Sequence, residues 1–374
     1  MFRSEYIVSP RADWMWFLGL PYVAVAVALA CHHWLPLMAL ASVGLWITIP
    51  HHFATWVRTY GLREDWERWR WPLVFGPLLI LGTTTAGLLV APATLLLLTL
   101  LWDHQHSVMQ QHGLTRIYDF KARTGSPITG RFDLYLHWFL YGNMLITAPM
   151  IVKLWASELY KWRLPVTPQL LVGVQLVSWG ILIAFLLVYA GHLVWTVRSG
   201  FGLNPLKYAF VFSSYFLWYF ASWQTDSLLV YGIAHRLMHG VQYMVIVNSY
   251  LGHKIEKSVP QPGAGDSRTW TTCWKQLGRL LSTHHRTLAF IGMGGAYALL
   301  YQFILLRPFD ELGFGVIQFM RIGPQARPGM SDVTQAGAYD LFAMTLIQGI
   351  PITHYFVDSF IWKVSDARVQ QGLE

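Results

Sequence analysis

Charge is what this chain has least of. Charged residues fill 12% of its 374 positions, about half the share of an ordinary soluble domain, while hydrophobic residues reach 54%. That imbalance excludes a soluble globular protein and points to an integral membrane protein. Cysteine is nearly missing: Cys31 and Cys273 are too few for a disulfide framework or a Cys-based metal site. The two-residue alternation of a β-barrel is absent. The spans are therefore expected to be helices, which satisfy their backbone groups internally. No internal repeat, low-complexity tract or cleavable signal peptide is evident; Ser4 to Asp13 is polar, and no small-residue cleavage site follows the first apolar run. The formal charge of +8 comes without a basic, aromatic-laced soluble segment, so nucleic acid is not an expected partner.

What is there is a series of long apolar runs. They predict an all-α, polytopic helical membrane protein of about ten transmembrane helices, near 14–33, 35–57, 72–90, 92–113, 133–154, 168–196, 205–224, 226–252, 287–307 and 335–363. Arg3, Arg11, Arg58, Arg63, Arg68, Arg70, Arg116, Lys121, Arg123, Arg131, Arg198, Lys207, Lys254 and Lys363 all fall on one side if both termini are cytoplasmic, while the opposite loops carry fewer, such as Lys153, Lys161, Arg163, Arg321 and Arg327. One integral membrane domain, 1–374, is the economical reading. It carries a cytoplasmic loop at 254–286 and a Gly- and Pro-rich loop at 308–334 on the opposite side.

Within these apolar runs four polar groups stand out. His51 and His52 lie in TIPHHFATW, and Asp103, His104, His106, Gln110 and His112 lie in WDHQHSVMQQHG. His235 and His239 lie in YGIAHRLMHGVQY, and His354 and Asp358 in GIPITHYFVDSFIWK. The predicted topology brings all four into the cytoplasmic half of the bilayer. Residues four apart share a helix face, so His235 with His239, and His354 with Asp358, can each grip one ion from one side. Imidazole with carboxylate suits iron, manganese or zinc. Ionisable groups at membrane depth are costly and are functional by default. Adjacent histidines point roughly 100° apart on a helix, so one of His51 and His52 can face a site while the other does not. Interfacial or hydrogen-bonding roles are assigned to His32, His33, His253, His284 and His285, and hydrogen bonding, or else support of a metal ligand, to His137 and His192.

The four clusters resemble the bacterial Brp/Blh family, membrane proteins that oxidatively cleave β-carotene to retinal. That family too has an early proline-preceded histidine, a second His-bearing helix, a His-x-x-x-His pair, and a late histidine followed by an aspartate. The matching positions are Pro50-His51, the His104/His106 region, His235 with His239, and His354 with Asp358. The resemblance is confined to these short motifs and implies a His-rich iron site inside a helical membrane fold. The chain departs from it after the first two motifs, where an acidic residue is expected four or five positions on but Thr55 or Trp56 follows His51 and Gln110 or Gln111 follows His106. Membrane di-iron desaturases and hydroxylases are a mechanistic analogue, of whose boxes only HRLMH fits here.

The function expected is a membrane-embedded, His-rich non-haem oxygenase or oxidase acting on a lipophilic substrate with dioxygen. It would sit in membrane lipid, in the bacterial inner membrane, and use an electron-donor protein if the reaction needs one. The expected ligands are His51, His52, His104, His106, His112, His235, His239, His354 and Asp358. They outnumber the six or so positions around one iron, so two ions are favoured; copper, zinc and haem are the alternatives. Tyr355 and Gln110 are candidates to hydrogen-bond the ligands or bound oxygen. Two rival classes are a haem-binding electron-transfer protein and a His/Asp proton-coupled transporter; a zinc hydrolase is a third.

Overall fold

A computed structural model describes residues 2–225, 227–258, 286–305 and 338–374. Among them the chain is helical, and its strand-like features reduce to one isolated bridge, Phe2 with Leu203. The helices are α1 (Pro10–Trp34, π-helical over Asp13–Gly19), α2 (Leu37–Gly61), α3 (Arg63–Val90), α4 (Pro92–Ala122), α5 (Thr129–Thr147) and α6 (Pro149–Lys161). After these come α7 (Pro168–Arg198), α8 (Pro205–Gln224), α9 (Leu228–Ser258), α10 (Arg286–Leu305), α11 (Ala338–Ile361) and α12 (Ala367–Leu373). The 308–334 loop and residues 259–285 of the 254–286 loop, with His284, His285 and Cys273, lie outside the described residues. Residues 254–258 are the last turn of α9 rather than loop.

Short polar signals set where several helices begin. Ser9, Thr167 and Asn204 each precede a proline and accept a backbone N–H of the first turn; the proline contributes a preset φ and no orphan donor. The predicted 133–154 span breaks in two at Ala148, which is extended at φ −69°, ψ 117°. Pro149 explains the break, because the residue before a proline is pushed out of the helical region.

About ten spans were expected, and the described helices carry fewer by length and composition. Three are long and apolar enough to cross a membrane: α1, α3 and α7. A fourth joins them if Thr129–Thr147 and Pro149–Ser157, bent by 64°, make one span. The predicted helices are nonetheless in place. What lowers the hydropathy of α4 and α11 is their own polar cargo, Asp103-His104-Gln105-His106 in one and Gln348, His354 and Asp358 in the other.

The helices gather into two compact units, Met1–Trp34 with Ser107–His239 and Leu35–His106 with Gly240–Glu374. In the first, α5 packs along α7, and α1 along α8. In the second, α3 packs along α11 and α2 along α10. Glycines permit the close approach of α3 and α11: a methyl group on Gly349 would meet Leu81 at 2.6 Å, and one on Gly76 would run into the Phe356 ring. The second unit's core is layered, with Ile49, Ala298 and Tyr301 in one cluster, Ala54, Tyr243, Val247, Leu251 and Phe290 in another, and Leu73, Val357 and Ile361 in a third.

Candidate metal centre

The second unit holds six of the expected ligands, five of them in one cluster and His104 beside them in sequence on α4. α2 supplies His51 and His52, α4 supplies His106, and α11 supplies His354 and Asp358. The four histidines are buried, His354 completely. Pro50 and Pro351 interrupt their helices just ahead of His51 and His354, removing a backbone bond from each ladder. Ring centroids lie 4.4 Å apart for His51 and His52, 4.8 Å for His51 and His354, 5.0 Å for His52 and His354, and 4.7 Å for His106 and His354.

The tightest grouping inside this unit is His106, His354 and Asp358, each offering one ligand atom with all three atoms within 4.8 Å of one another. His106 Nε2 stands 3.8 Å from Asp358 Oδ2. That is too long for a hydrogen bond. It suits two atoms sharing one ion, since bonds of about 2.1 Å place neighbouring ligands roughly 3 to 4 Å apart. Two imidazoles and one carboxylate fit a divalent transition ion, so the residues present match the group that the sequence implied.

A shell of partners holds these side chains. Thr55 Oγ1 lies 2.7 Å from His354 Nδ1 and 2.7 Å from the Tyr243 hydroxyl, and Tyr243 donates to Asp358 Oδ1 at 2.8 Å. The Tyr355 ring stacks on His106 at 4.8 Å, and its hydroxyl donates to Asp103 Oδ1 at 3.0 Å. His104 is buried in the same unit and turns its Nδ1 to the Leu100 carbonyl at 2.8 Å. Arg58, read from sequence as a loop cation, is wholly buried. Its guanidinium lies 3.4 Å from the Trp362 ring centroid and donates to the Ile361 carbonyl at 2.6 Å, fixing the end of α11 just beyond Asp358. Sequence reasoning missed Thr55 and Arg58, although both follow His51 at helical spacing, four and seven residues on, where they share its face.

The remaining expected residues belong to the first unit. His235 and His239 are buried there with ring centroids 5.9 Å apart, and Tyr231 and Trp218 pack near His235. Gln110, expected to bond a ligand or bound oxygen, donates to the His239 backbone carbonyl at 3.0 Å. The His112 ring sits 5.7 Å from that of His137, whose Nδ1 meets the Tyr215 hydroxyl at 2.8 Å. His192 Nε2 lies 3.1 Å from Thr129 Oγ1, the hydrogen-bonding role expected for it. A separate charged network fills the same unit. Lys207, also read as a loop cation, is buried and donates to Asp119 Oδ2 at 2.9 Å and Asp133 Oδ2 at 3.0 Å. Arg116 adds a 2.7 Å bond to Asp119, and the Tyr189 hydroxyl donates to Asp133 at 2.7 Å.

Comparison of the chain with protein-family models, with curated proteins and with solved structures finds no match.

Proposed function

We propose that the chain is a membrane-embedded non-haem iron oxidoreductase, an oxygenase or oxidase acting on a lipophilic substrate, with His106, His354 and Asp358 holding the ion. One observation carries this reading: a buried set of two histidines and one carboxylate whose ligand atoms lie within 4.8 Å of one another. Two histidines and a carboxylate that leave coordination positions open are the donor set of non-haem ferrous oxygenases. Bound there, the iron would supply dioxygen activation. The chain's own part is to bind and orient: Tyr243 and Thr55 aim Asp358 and His354, and the Tyr355 ring covers one side of His106. Burial excludes bulk water from the cluster, and a hydrocarbon setting concentrates both dioxygen and an apolar substrate.

The fuller form of the proposal keeps two irons, with imidazoles for a second ion available from His51 and His52 in one unit or from His235 and His239 in the other. It also keeps about ten spans, both termini in the cytoplasm, a bacterial inner-membrane location and an electron-donor protein on the cytoplasmic side. Support for these comes from the bias of basic residues toward one side and the motif resemblance to the Brp/Blh proteins, while the three to four helices apolar enough to span support the membrane setting alone.

The test is metal content and the absorption spectrum of detergent-purified protein, wild type beside His354→Ala. Iron without a Soret band, falling at least 10-fold in the variant, is the expected result. A Soret band would sink the proposal in favour of haem-based electron transfer. Metal-free protein after supply of ferrous ion would turn the reading toward a His/Asp proton relay, and zinc alone toward a hydrolase.

A further inference from the structure

We propose that Thr55, itself engaged by Tyr243 and Asp358, is a positioning residue that fixes His354 in its Nδ1–H tautomer, leaving Nε2 as the nitrogen that binds metal. The purpose of this arrangement rests on the metal centre proposed above, while its geometry stands independently. Three short contacts join four side chains in a row. They run from His354 Nδ1 to Thr55 Oγ1 at 2.7 Å, from Thr55 Oγ1 to the Tyr243 hydroxyl at 2.7 Å, and from that hydroxyl to Asp358 Oδ1 at 2.8 Å. Each contact needs one hydrogen. Threonine brings one, tyrosine brings one, and the carboxylate in its ionised form, the form that takes a metal ion, brings none. Two hydrogens cannot make three bonds, so the third comes from His354 Nδ1. The chain of donation then runs one way, from His354 to Thr55 to Tyr243 to Asp358.

One further contact agrees with this count: the Trp362 indole N–H lies 3.3 Å from the Tyr243 oxygen and donates to it. Thr55 Oγ1 also lies 3.3 Å from Asp358 Oδ1, a longer contact that competes with Tyr243 for the single Thr55 hydrogen. An imidazole protonated on Nδ1 keeps its lone pair on Nε2. Metal-binding histidines generally pair one ring nitrogen with an oxygen and the other with the ion, and loss of the oxygen partner weakens binding about 10–100-fold. The same chain engages Asp358 Oδ1 and leaves Oδ2 as the oxygen 3.8 Å from His106 Nε2.

Long-range proton–nitrogen spectra of ¹⁵N-histidine-labelled, metal-free protein in detergent test this, at pH about 9, above the usual carboxylate range. The His354 signal is assigned by its loss in His354→Gln. The Nδ1–H form is expected in wild type and in Thr55→Ser, and a mixture or the Nε2–H form in Thr55→Val. Tyr243→Phe is expected to keep Nδ1–H, because Thr55 then donates to Asp358. An Nε2–H wild type, or Nδ1–H unchanged in Thr55→Val, overturns the proposal. Zinc titration of the same samples supplies the second readout, with affinity about 10–100-fold lower in Thr55→Val and recovered in Thr55→Ser. The Nδ1–H form in a protein that takes up no metal would sink the metal centre while leaving the hydroxyl chain in place.

Discussion

The two units bury carboxylates in opposite company. In the first, Asp119 and Asp133 are each matched by a permanent cation, with Lys207 between them, Arg116 beside both and Tyr189 completing Asp133. In the second, the ion-pair partners of Asp358 among the described residues are His106 and His354, at 3.8 and 3.9 Å. Histidine carries charge only when protonated. A buried charge needs pairing, and removing one partner of a pair leaves the other stranded. The first arrangement is electrically complete with its own side chains. The second has a carboxylate, clustered imidazoles and, among the described residues, no lysine or arginine in ion-pair reach of Asp358, a composition that a bound cation would complete if the proposed centre is loaded. Buried polarity in an apolar chain therefore has two meanings here, and the nature of the partner distinguishes them.

The sharpest way to break this comparison is to remove one member from each side and watch stability and metal content together. Lys207→Met strands two buried carboxylates beside a half-exposed Arg116 and is expected to cost about 3–5 kcal/mol, enough to lose most folded protein in a thermal or denaturant unfolding assay. Asp358→Asn should behave differently. The amide carbonyl still accepts from Tyr243, and a desolvated negative charge disappears, so metal-free protein is expected to be as stable as wild type or more so. Its metal content should fall 10-fold or more. Equal destabilisation by the two substitutions, with metal content unchanged in Asp358→Asn, would erase the distinction between the units.

Much of this contrast was legible in the sequence, and the part that was not has a physical reason. Apolar runs located the helices, because hydrocarbon-length segments leave a composition signal that survives without tertiary context. The clusters at His51/His52, His106 and His354/Asp358 were legible for the opposite reason, as polar residues standing where apolar ones belong. The partner of each was not legible. Arg58 and Lys207 read as loop cations at helix ends, yet both are buried, one over Trp362 and the other between two aspartates. His112 reads like His106 in sequence, six residues away on the same helix, but a turn of roughly 100° per residue sends it elsewhere, and it meets His137. Helical period alone could have flagged Thr55, four residues after His51. Its partners on α9 and α11 are 188 and 299 residues away, and no local pattern reports such a pairing.

The smallest expected effect sharpens the comparison from outside, at an ion pair that water reaches. Asp366 caps α12, accepting the Arg368 backbone N–H at 3.0 Å, and its carboxylate also pairs with Arg68 of α3. The Arg68 hydrogen bond, and after it the Arg368 N–H, holds the Asp366 carboxyl below its ordinary value. A lowered folded-state value contributes stability that is present above the unfolded value, about 3.9, and is lost as pH falls through the folded one. α12 is also tied by the Gly372 carbonyl, which lies 3.0 Å from His253 Nδ1, and by its buried Val369 and Leu373, so the Arg68 pair does not hold it alone. Arg68→Ala should therefore lower the melting temperature by no more than about 2 °C at neutral pH. The difference from wild type should shrink in high salt and vanish below the carboxylate range. A shift as large as that of Lys207→Met, or one indifferent to salt, would show that exposure does not separate this pair from the buried network.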